Sequence, residues 1–412
     1  DQNFIPRFET IPGKQDVLDK LKEAAKKAKI IYLATDPDRE GEAIAFHIKE
    51  FFLQNGIKTQ VKRLAFHEIT KTEIEKAFSL AGNINQSLVE SQITRRIIDR
   101  LMGFYLSPFL WRLLKNYHLS AGRVQSVALR FICERENEID AFVPKTYFEL
   151  KAFFEKEGLS FDALLFSLNA KKGPFEDKQV IEDYHKSLSG VFTVDKVEKK
   201  ESKVSTRAPF TTSVLQREAF NNFRYPASRT MQIAQKLYEG INYGGGITGL
   251  ITYMRTDSVR VSNEAMNQNR EFIQKNYPNF LSPIPKIYSN KKNAKVQDAH
   301  EAIRPVDVYL TPDKVKNSLT ADEFKIYSLI WKRFVASQMK ESLYADTKVI
   351  LKAGDGFFEI RGKRQTFEGF EAVYPNKVKE TLLPDFKEGE KLTATEMKLT
   401  QKETLPPPRY SD

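Results

Sequence analysis

The sequence predicts a multidomain chain of α/β, α and β parts in that order, and three patterns carry the prediction. Short apolar runs alternate with amphipathic helical text over 15–79. Helical periodicity takes over at 87–139. Period-two alternation marks 147–200 and 343–400, with an α-rich block at about 209–341 between them.

In order along the chain, QDVLDKLKEAAKKA (15–28) reads as an amphipathic helix and IIYLA (30–34) as a buried strand. TDPDREGE then turns the chain, and AIAFHIKEFF (43–52) returns to helix. VKRLAF (61–66) is a second strand. Thr70 and Glu73 form a capping-box pattern before a helix at 71–79. Alternation of this kind favours a parallel sheet. Pro108 and the HLSAG stretch should divide the helical text at 87–139 into two or three pieces. From Tyr147 onward, Phe148, Leu150, Ala152 and Phe154 fall on one strand face, and FDALLFSL and VFTVDKV continue the β character to about 200. TTSVLQREAF and ASRTMQIAQKLYEG are helical, INYGGGITG reads as a flexible loop, and helical text dominates from there to about 340. The simplest packing lets the two β-rich blocks rejoin into one domain, with the helical block as an insertion. No internal repeat or low-complexity segment interrupts this order.

Composition narrows the function classes. The 412 residues exceed one core, and a prior of roughly one domain per 150 residues suggests two to four. Hydrophobic residues at 41% and aromatics at 12% are enough to build real cores and exclude a mostly disordered chain. The apolar runs are too short to span a bilayer, and no leader opens the chain. The single cysteine, Cys133, excludes a disulfide framework or a cysteine-rich zinc site within these residues. Together these favour a cytoplasmic protein. The net charge of +11 is concentrated. Residues 91–130 hold Arg95, Arg96, Arg100, Arg112, Lys115, Arg123 and Arg130 against the single acid Asp99, with Phe104, Tyr105, Phe109, Trp111 and Tyr117 among them. Basic groups neutralise phosphates and rings stack on unpaired bases, so this segment reads either as a nucleic-acid surface or as a helix pair with snorkelling arginines.

Four constellations could carry chemistry. Asp36, Asp38 and Glu40 lie at the carboxyl end of a predicted parallel strand, where open α/β sheets place their sites. Alternate carboxylates there suit Mg²⁺, or else form a solvated turn that caps the next helix. In LITYMRTDS, Tyr253, Arg255 and Asp257 would share one face if the segment is extended. A phenol needs a nearby cation or base to attack phosphorus, and Arg255 could supply the cation; a structural Arg–Asp pair beside a strand-end tyrosine is the alternative. In DAHEAIRP, His300 and Arg304 lie one helical turn apart and could address one anion. In LSAGRVQS, Ser120 could cap a helix whose amino end faces a phosphate. No G-x-x-x-x-G-K-[ST] loop for ATP and no G-x-S-x-G elbow is present.

In this order the motifs resemble those of the type IA DNA topoisomerases, the bacterial topoisomerase I branch above all. TDPDREGEAIAFHI is similar to the family's metal-binding TOPRIM segment, and RRIIDRLMGFYLSPFLW with LSAGRVQSVALR to its single-strand DNA groove. APFTTSVLQREA, LITYMRTDS and HEAIRP resemble the helical domain that carries the nucleophile. The resemblance runs over essentially the whole chain. Met254 matches topoisomerase I, where topoisomerase III usually has Pro.

The resemblance implies a TOPRIM α/β domain (1–82) followed by a toroidal core. That core comprises a helical single-strand-binding part (83–143), a β-rich hinge domain in two segments (144–208 and 342–412) and a helical domain (209–341). Tyr253 would be the nucleophile, forming a 5′-phosphotyrosine, with Arg255 on the scissile phosphate and His300 positioning the strand or the tyrosine. Asp36, Asp38 and Glu40 would hold Mg²⁺. Arg95, Arg96, Asp99, Phe104 and Trp111 would line the DNA path, with Arg255 and with Ser120, Ala121, Gly122, Arg123, Val124 and Gln125. The implied activity is relaxation of negatively supercoiled DNA through a transient single-strand break, by a nucleoid-associated monomer. The phosphotyrosine conserves the phosphodiester's energy, so no ATP is needed.

Departures from the family's pattern are as informative. The family's first TOPRIM strand, with a catalytic Glu and nearby Lys, should precede Asp1, and a Gly-Arg-Pro-Ser-Thr segment should follow Tyr410. His67 stands where Asn is usual. The chain is therefore expected to be an internal piece that cleaves DNA poorly by itself, an expectation that robust plasmid relaxation would contradict. Other readings stay open: topoisomerase III, a reverse gyrase core, a TOPRIM nuclease using metal-activated water, or a non-catalytic single-strand-binding protein.

Overall fold

In the computed structural model, residue 4 and residues 6–289, 301–375 and 378–411 are described. The first part alternates α1 (Gln15–Lys27), β1 (Ile30–Leu33), α2 (Arg39–Gln54), β2 (Gln60–Arg63) and α3 (Lys71–Ser79). The two strands pair in parallel, Ile30 opposite Gln60 and Leu33 opposite Arg63. Ala25, Phe52 and Ile57 form a small core beneath them. Helix α2 starts at Arg39, a turn before the expected Ala43, because the Asp38 side chain caps it by accepting from Gly41 N. Thr70 caps α3 by accepting from Glu73 N, one half of the anticipated capping box.

Two helices follow, α4 (Gln86–Leu114) and α5 (Arg123–Asp140). Pro108 does not divide α4 as expected. Its fixed φ fits a helix, and the cost is one internal hydrogen bond. The break comes at Lys115, whose φ of 50° is left-handed. The connecting loop folds back on α4 through two bonds. Trp111 Nε1 donates to the Leu119 carbonyl at 2.6 Å, and Ala121 N donates to Ser107 Oγ at 3.1 Å.

The remaining elements are β3 (Thr146–Lys156), β4 (Leu159–Leu168), β5 (Lys171–Lys172), α6 (Lys178–Ser187) and β6 (Val191–Val204). Then come α7 (Thr212–Phe223), α8 (Ala227–Glu239), β7 (Ile241–Tyr243), β8 (Gly246–Thr248), α9 (Asn263–Asn276), α10 (Pro312–Val315) and α11 (Ala321–Ser337). The chain closes with β9 (Ser342–Ala353), β10 (Gly356–Phe367), β11 (Lys391–Thr393) and β12 (Glu396–Glu403). Strands from both sides of the helical block form one sheet of order β11-β6-β9-β10-β4-β3-β12, with β5 on β4. Every pairing in it is antiparallel. Phe148, Leu150, Ala152 and Phe154 are buried on one face of β3, as period two requires. The helical block has its own core, including Phe210, Leu215, Leu237, Ile326, Ile330 and Phe334.

Two further expectations yield to the structure. The glycine-rich INYGGGITG is a hairpin, β7 on β8, rather than a loop, with the turn made by Gly244 and Gly245 at positive φ. The described residues between 281 and 311 hold no α-helix, and Leu281, Ile303 and Pro305 make isolated bridges. Among the described residues, no helix is long and apolar enough to cross a membrane.

Candidate active site

The acidic loop after β1 is held from within. Arg63, 5% exposed, pairs with Glu42 at 2.7 Å. Its guanidinium also donates to the carbonyls of Leu33 (3.0 Å), Thr35 (2.8 Å), Asp36 (2.8 Å) and Leu64. Glu42 accepts in addition from Asn85 N at 2.5 Å, which ties the loop to the start of α4. Thr35 Oγ1 donates to the Gly41 carbonyl at 2.6 Å. A Cβ on Gly41 would lie 2.2 Å from the Asp36 carbonyl oxygen, so only glycine permits this closure.

Tyr253 enters this loop from the helical block. Its hydroxyl donates to Asp38 Oδ2 at 2.5 Å, while Asp38 Oδ1 accepts from Gly41 N at 2.7 Å. One carboxylate therefore caps α2 and receives the phenol. The main chain joins as well, Tyr253 N donating to the His67 carbonyl at 2.8 Å. The Tyr253 ring meets Tyr238 edge-on at 5.3 Å. Thr212 Oγ1 donates to the Met254 carbonyl at 2.7 Å and accepts from Thr256 N at 2.8 Å, fixing the segment to α7.

Burial, reinforced by the bond to Asp38, pushes the Tyr253 hydroxyl far above its ordinary value, and Arg255 opposes the shift. The phenol is neutral in this closed arrangement. Burial and the neighbouring Asp38 likewise raise the Asp36 carboxyl, and Arg255 again opposes. Arg255 is exposed beside both groups. The expected single face of Tyr253, Arg255 and Asp257 is not formed. Tyr253 is 2% exposed, whereas Arg255 and Asp257 are exposed, because the segment is an irregular turn held by a bridge between Ile251 and Pro305.

The three carboxylates expected to converge do not. Asp36 and Asp38 adjoin, but Glu40 turns to Arg39 Nε at 3.1 Å. Among the described residues, no group of three or more His, Cys, Asp or Glu gathers in a metal-holding arrangement. Clustered anions repel, and Glu40 relieves the repulsion through its neighbour. The donor set still suits a hard divalent cation: Asp36 and Asp38 offer carboxylate oxygens, and Asp36 is a desolvated anion that such a charge would relieve.

His300 and Asp298 lie outside the described residues. Arg304 does not form the anticipated anion site. Among the described residues, 301–305 form no helix, Ile303 bridging Phe210 and Pro305 bridging Ile251. Arg304 is itself buried, paired with Glu301 at 2.7 Å and Glu68 at 3.2 Å. Burial raises the Glu68 carboxyl, with Arg304 opposing.

The expected DNA-path residues lie on α4, α5 and their connection. Arg123 pairs with Asp99 at 2.8 Å and holds that carboxyl below its usual range, while Arg95 stands 3.8 Å from it. Phe104 is 67% exposed with the Arg100 guanidinium over its ring, and Arg96 stands over Phe8. Ser120 is not the cap of α5: Gly122 is, with no side-chain cap bond, and Ser120 Oγ accepts from Gln125 Nε2 at 3.2 Å. Ala121 and Gly122 are half-buried, and Val124 is exposed. Trp111 is half-buried and committed to Leu119, so its ring belongs to the loop's own packing.

The sequence patterns do not single out Arg63, Tyr238 or Glu68, and they hold Gly41 and Glu42 only as members of the acidic turn, with no role of their own. Only Gly41 had a local signal, a glycine in the first turn of a helix.

A parallel βαβ unit with paired acids at a strand end, met by a buried tyrosine from a helical insertion, defines a Toprim-type site joined to a tyrosine-bearing core. Residues 3–69 match the Toprim domain family, and residues 83–412 match a DNA topoisomerase family. The full-length topoisomerase I from Thermotoga maritima is similar in structure. It is 38% identical, with a TM-score of 0.81, over 99% of this chain and 66% of that one. The chain belongs to the type IA DNA topoisomerase family. It spans about two thirds of the length of that solved relative.

Proposed function

We propose that the protein is the core of a topoisomerase of the topoisomerase I type, breaking and resealing one strand of DNA. The observation that carries this reading is the Tyr253–Asp38 hydrogen bond, which joins the tyrosine to an acidic loop 215 residues away. Met254 beside the tyrosine favours topoisomerase I over topoisomerase III.

In the proposed reaction the Tyr253 oxygen attacks a backbone phosphorus. An O–P bond to tyrosine forms and the bond to the 3′-oxygen breaks; the departing 3′-oxygen takes a proton from water, giving a 5′-phosphotyrosine and a free 3′-hydroxyl. Asp38 Oδ2 is hydrogen-bonded to the phenol and is placed to take its proton. Arg255 neutralises the phosphate and favours developing phenolate. Asp36 and Asp38 would hold Mg²⁺, which supplies positive charge at the DNA backbone. Reversal of the same steps reseals the strand without ATP. The α4–α5 surface, with Arg95, Arg96, Arg100 and Arg123, leads a single strand toward the tyrosine. The same reading divides the chain into 1–82, 83–143, 144–208 with 342–412, and 209–341.

In the full-length protein, Tyr253→Phe should abolish the covalent protein–DNA adduct and leave strand binding intact. Persistent cleavage in that variant would instead support a metal-dependent nuclease. Absence of an adduct from the wild type would favour a binding protein.

A further inference from the structure

A groove of about 1350 Å³ lies on the helical block, away from the tyrosine. Its walls come from the carboxyl ends of α7 and α9, from α10, from one side of α11 and from residues 372–375. Neither the acidic loop nor Tyr253 and Arg255 lines it. Helix α7 sets the separation. Thr212 at its start bonds the Met254 carbonyl, whereas Asn222 and Phe223 at its end form the groove wall. At about 1.5 Å per residue the two lie roughly 15 Å apart.

The lining is cationic. It holds Arg207, Arg224, Lys275, Lys314, Lys325 and Lys332 against Glu218 and Asp313. Glu218 is taken by Arg207 at 3.2 Å. Among the described residues, Arg224, Lys275, Lys314 and Lys332 have no ion-pair partner. Flat rings stand between these charges. Phe223, Tyr277, Phe324 and Tyr374 are half-exposed, and the Lys325 ammonium sits 5.9 Å over the Phe223 ring. The floor is fixed: Trp331 is 4% exposed and donates Nε1 to the Val308 carbonyl at 2.8 Å.

Pockets for small ligands are commonly about 300–1000 Å³ and mostly apolar, and this groove is larger and charged. Unpaired cations at several points along it suit a chain of phosphates rather than one anion. Tyr309, 37% exposed in the same lining, and the partly exposed rings beside it suit bases that are not already stacked on a partner strand, whose faces a duplex would hide. We infer that the groove is a second single-stranded DNA site, separate from the one that leads to Tyr253. This rests on the reading that the protein handles DNA.

Photocrosslinking with oligo(dT) carrying 5-bromouracil tests it on the 412-residue chain as it stands. Crosslinks are expected on peptides containing Phe223, Tyr277 or Phe324, in addition to any in 36–42, 95–125 and 253–255. Unlabelled single strand should displace them, and duplex of equal length should not. Combined Arg224→Ala, Lys275→Ala, Lys314→Ala and Lys332→Ala should flatten the dependence of log K on log salt by up to about 3, near 0.7 for each phosphate no longer neutralised. Crosslinks confined to the other segments overturn the groove and leave the proposed function standing, and so does an unchanged salt dependence in a folded variant. Equal displacement by duplex overturns the single-strand assignment. No crosslink anywhere overturns both readings. The crosslink map needs no substitution, so it decides the matter even if the variant fails to fold.

Discussion

Asp38 serves two masters at once, and its substitutions separate them. Asp38→Asn keeps an oxygen for the α2 cap but removes the anionic acceptor of the phenol. Asp38→Ala loses both, and the cap alone is worth about 1 kcal/mol. Adduct formation by the full-length protein should fall by roughly 10²-fold or more in both variants, while only Asp38→Ala should unfold at lower urea. Equal destabilisation of the two would show that the cap is not carried by that oxygen. Gly41→Ala is a purely steric test. A Cβ 2.2 Å from the Asp36 oxygen forces the loop open, at a cost of about 1–3 kcal/mol by urea unfolding. A wild-type transition would refute the close approach. Asp36, Asp38 and Tyr253 stand out in the sequence as local patterns, acids at a strand end and a tyrosine beside an arginine, and the structure brings Tyr253 and Asp38 together. Arg63 does not: it reads as one more polar residue closing a strand, and its role depends on three carbonyls and a carboxylate supplied by other segments.

Helices α8 and α11 show how an element boundary becomes a tie between elements. Asp322, in the first turn of α11, accepts from Tyr225 Oη at 2.5 Å and from Arg229 in the first turn of α8. Both bonds lower its carboxyl below the ordinary 3.8. The sign follows from a lowered folded value: the tie stabilises the folded state above the unfolded pKa and is lost as pH falls through the folded one. The stability gap between wild type and Asp322→Asn should therefore be constant above about pH 5 and shrink below 3.8. A gap that grew on acidification would contradict it. At this scale the sequence was read well wherever periodicity is strong, as in α3 and β3. A single residue type is a weaker guide. Pro108 was expected to break α4 but sits within it, and the glycine run was expected to be loose but closes a hairpin. DAHEAIRP has helical spacing, yet the described residues 301–305 are drawn into bridges with Phe210 and Ile251. Tertiary pairing outweighs local propensity there.

At the scale of the whole molecule, the helical block leaves the sheet after β6 and returns at β9, and Val204 and Ser342 are direct pairing partners. Just beyond them Ser205 Oγ donates to Glu341 at 2.6 Å. Replacing 205–341 with a two-residue Asn-Gly turn should thus leave a folded antiparallel sheet, since β6 and β9 would become an ordinary hairpin. Far-ultraviolet circular dichroism showing β structure with a cooperative melt would support this, and an unfolded product would show that the sheet depends on the block. The same doorway has a mechanical meaning. Both strands point toward the block, so a force drawing it away from the sheet pulls them lengthwise and together. It shears β6 along β11 and β9 along β10 instead of peeling one strand from an edge, and many backbone bonds resist at once.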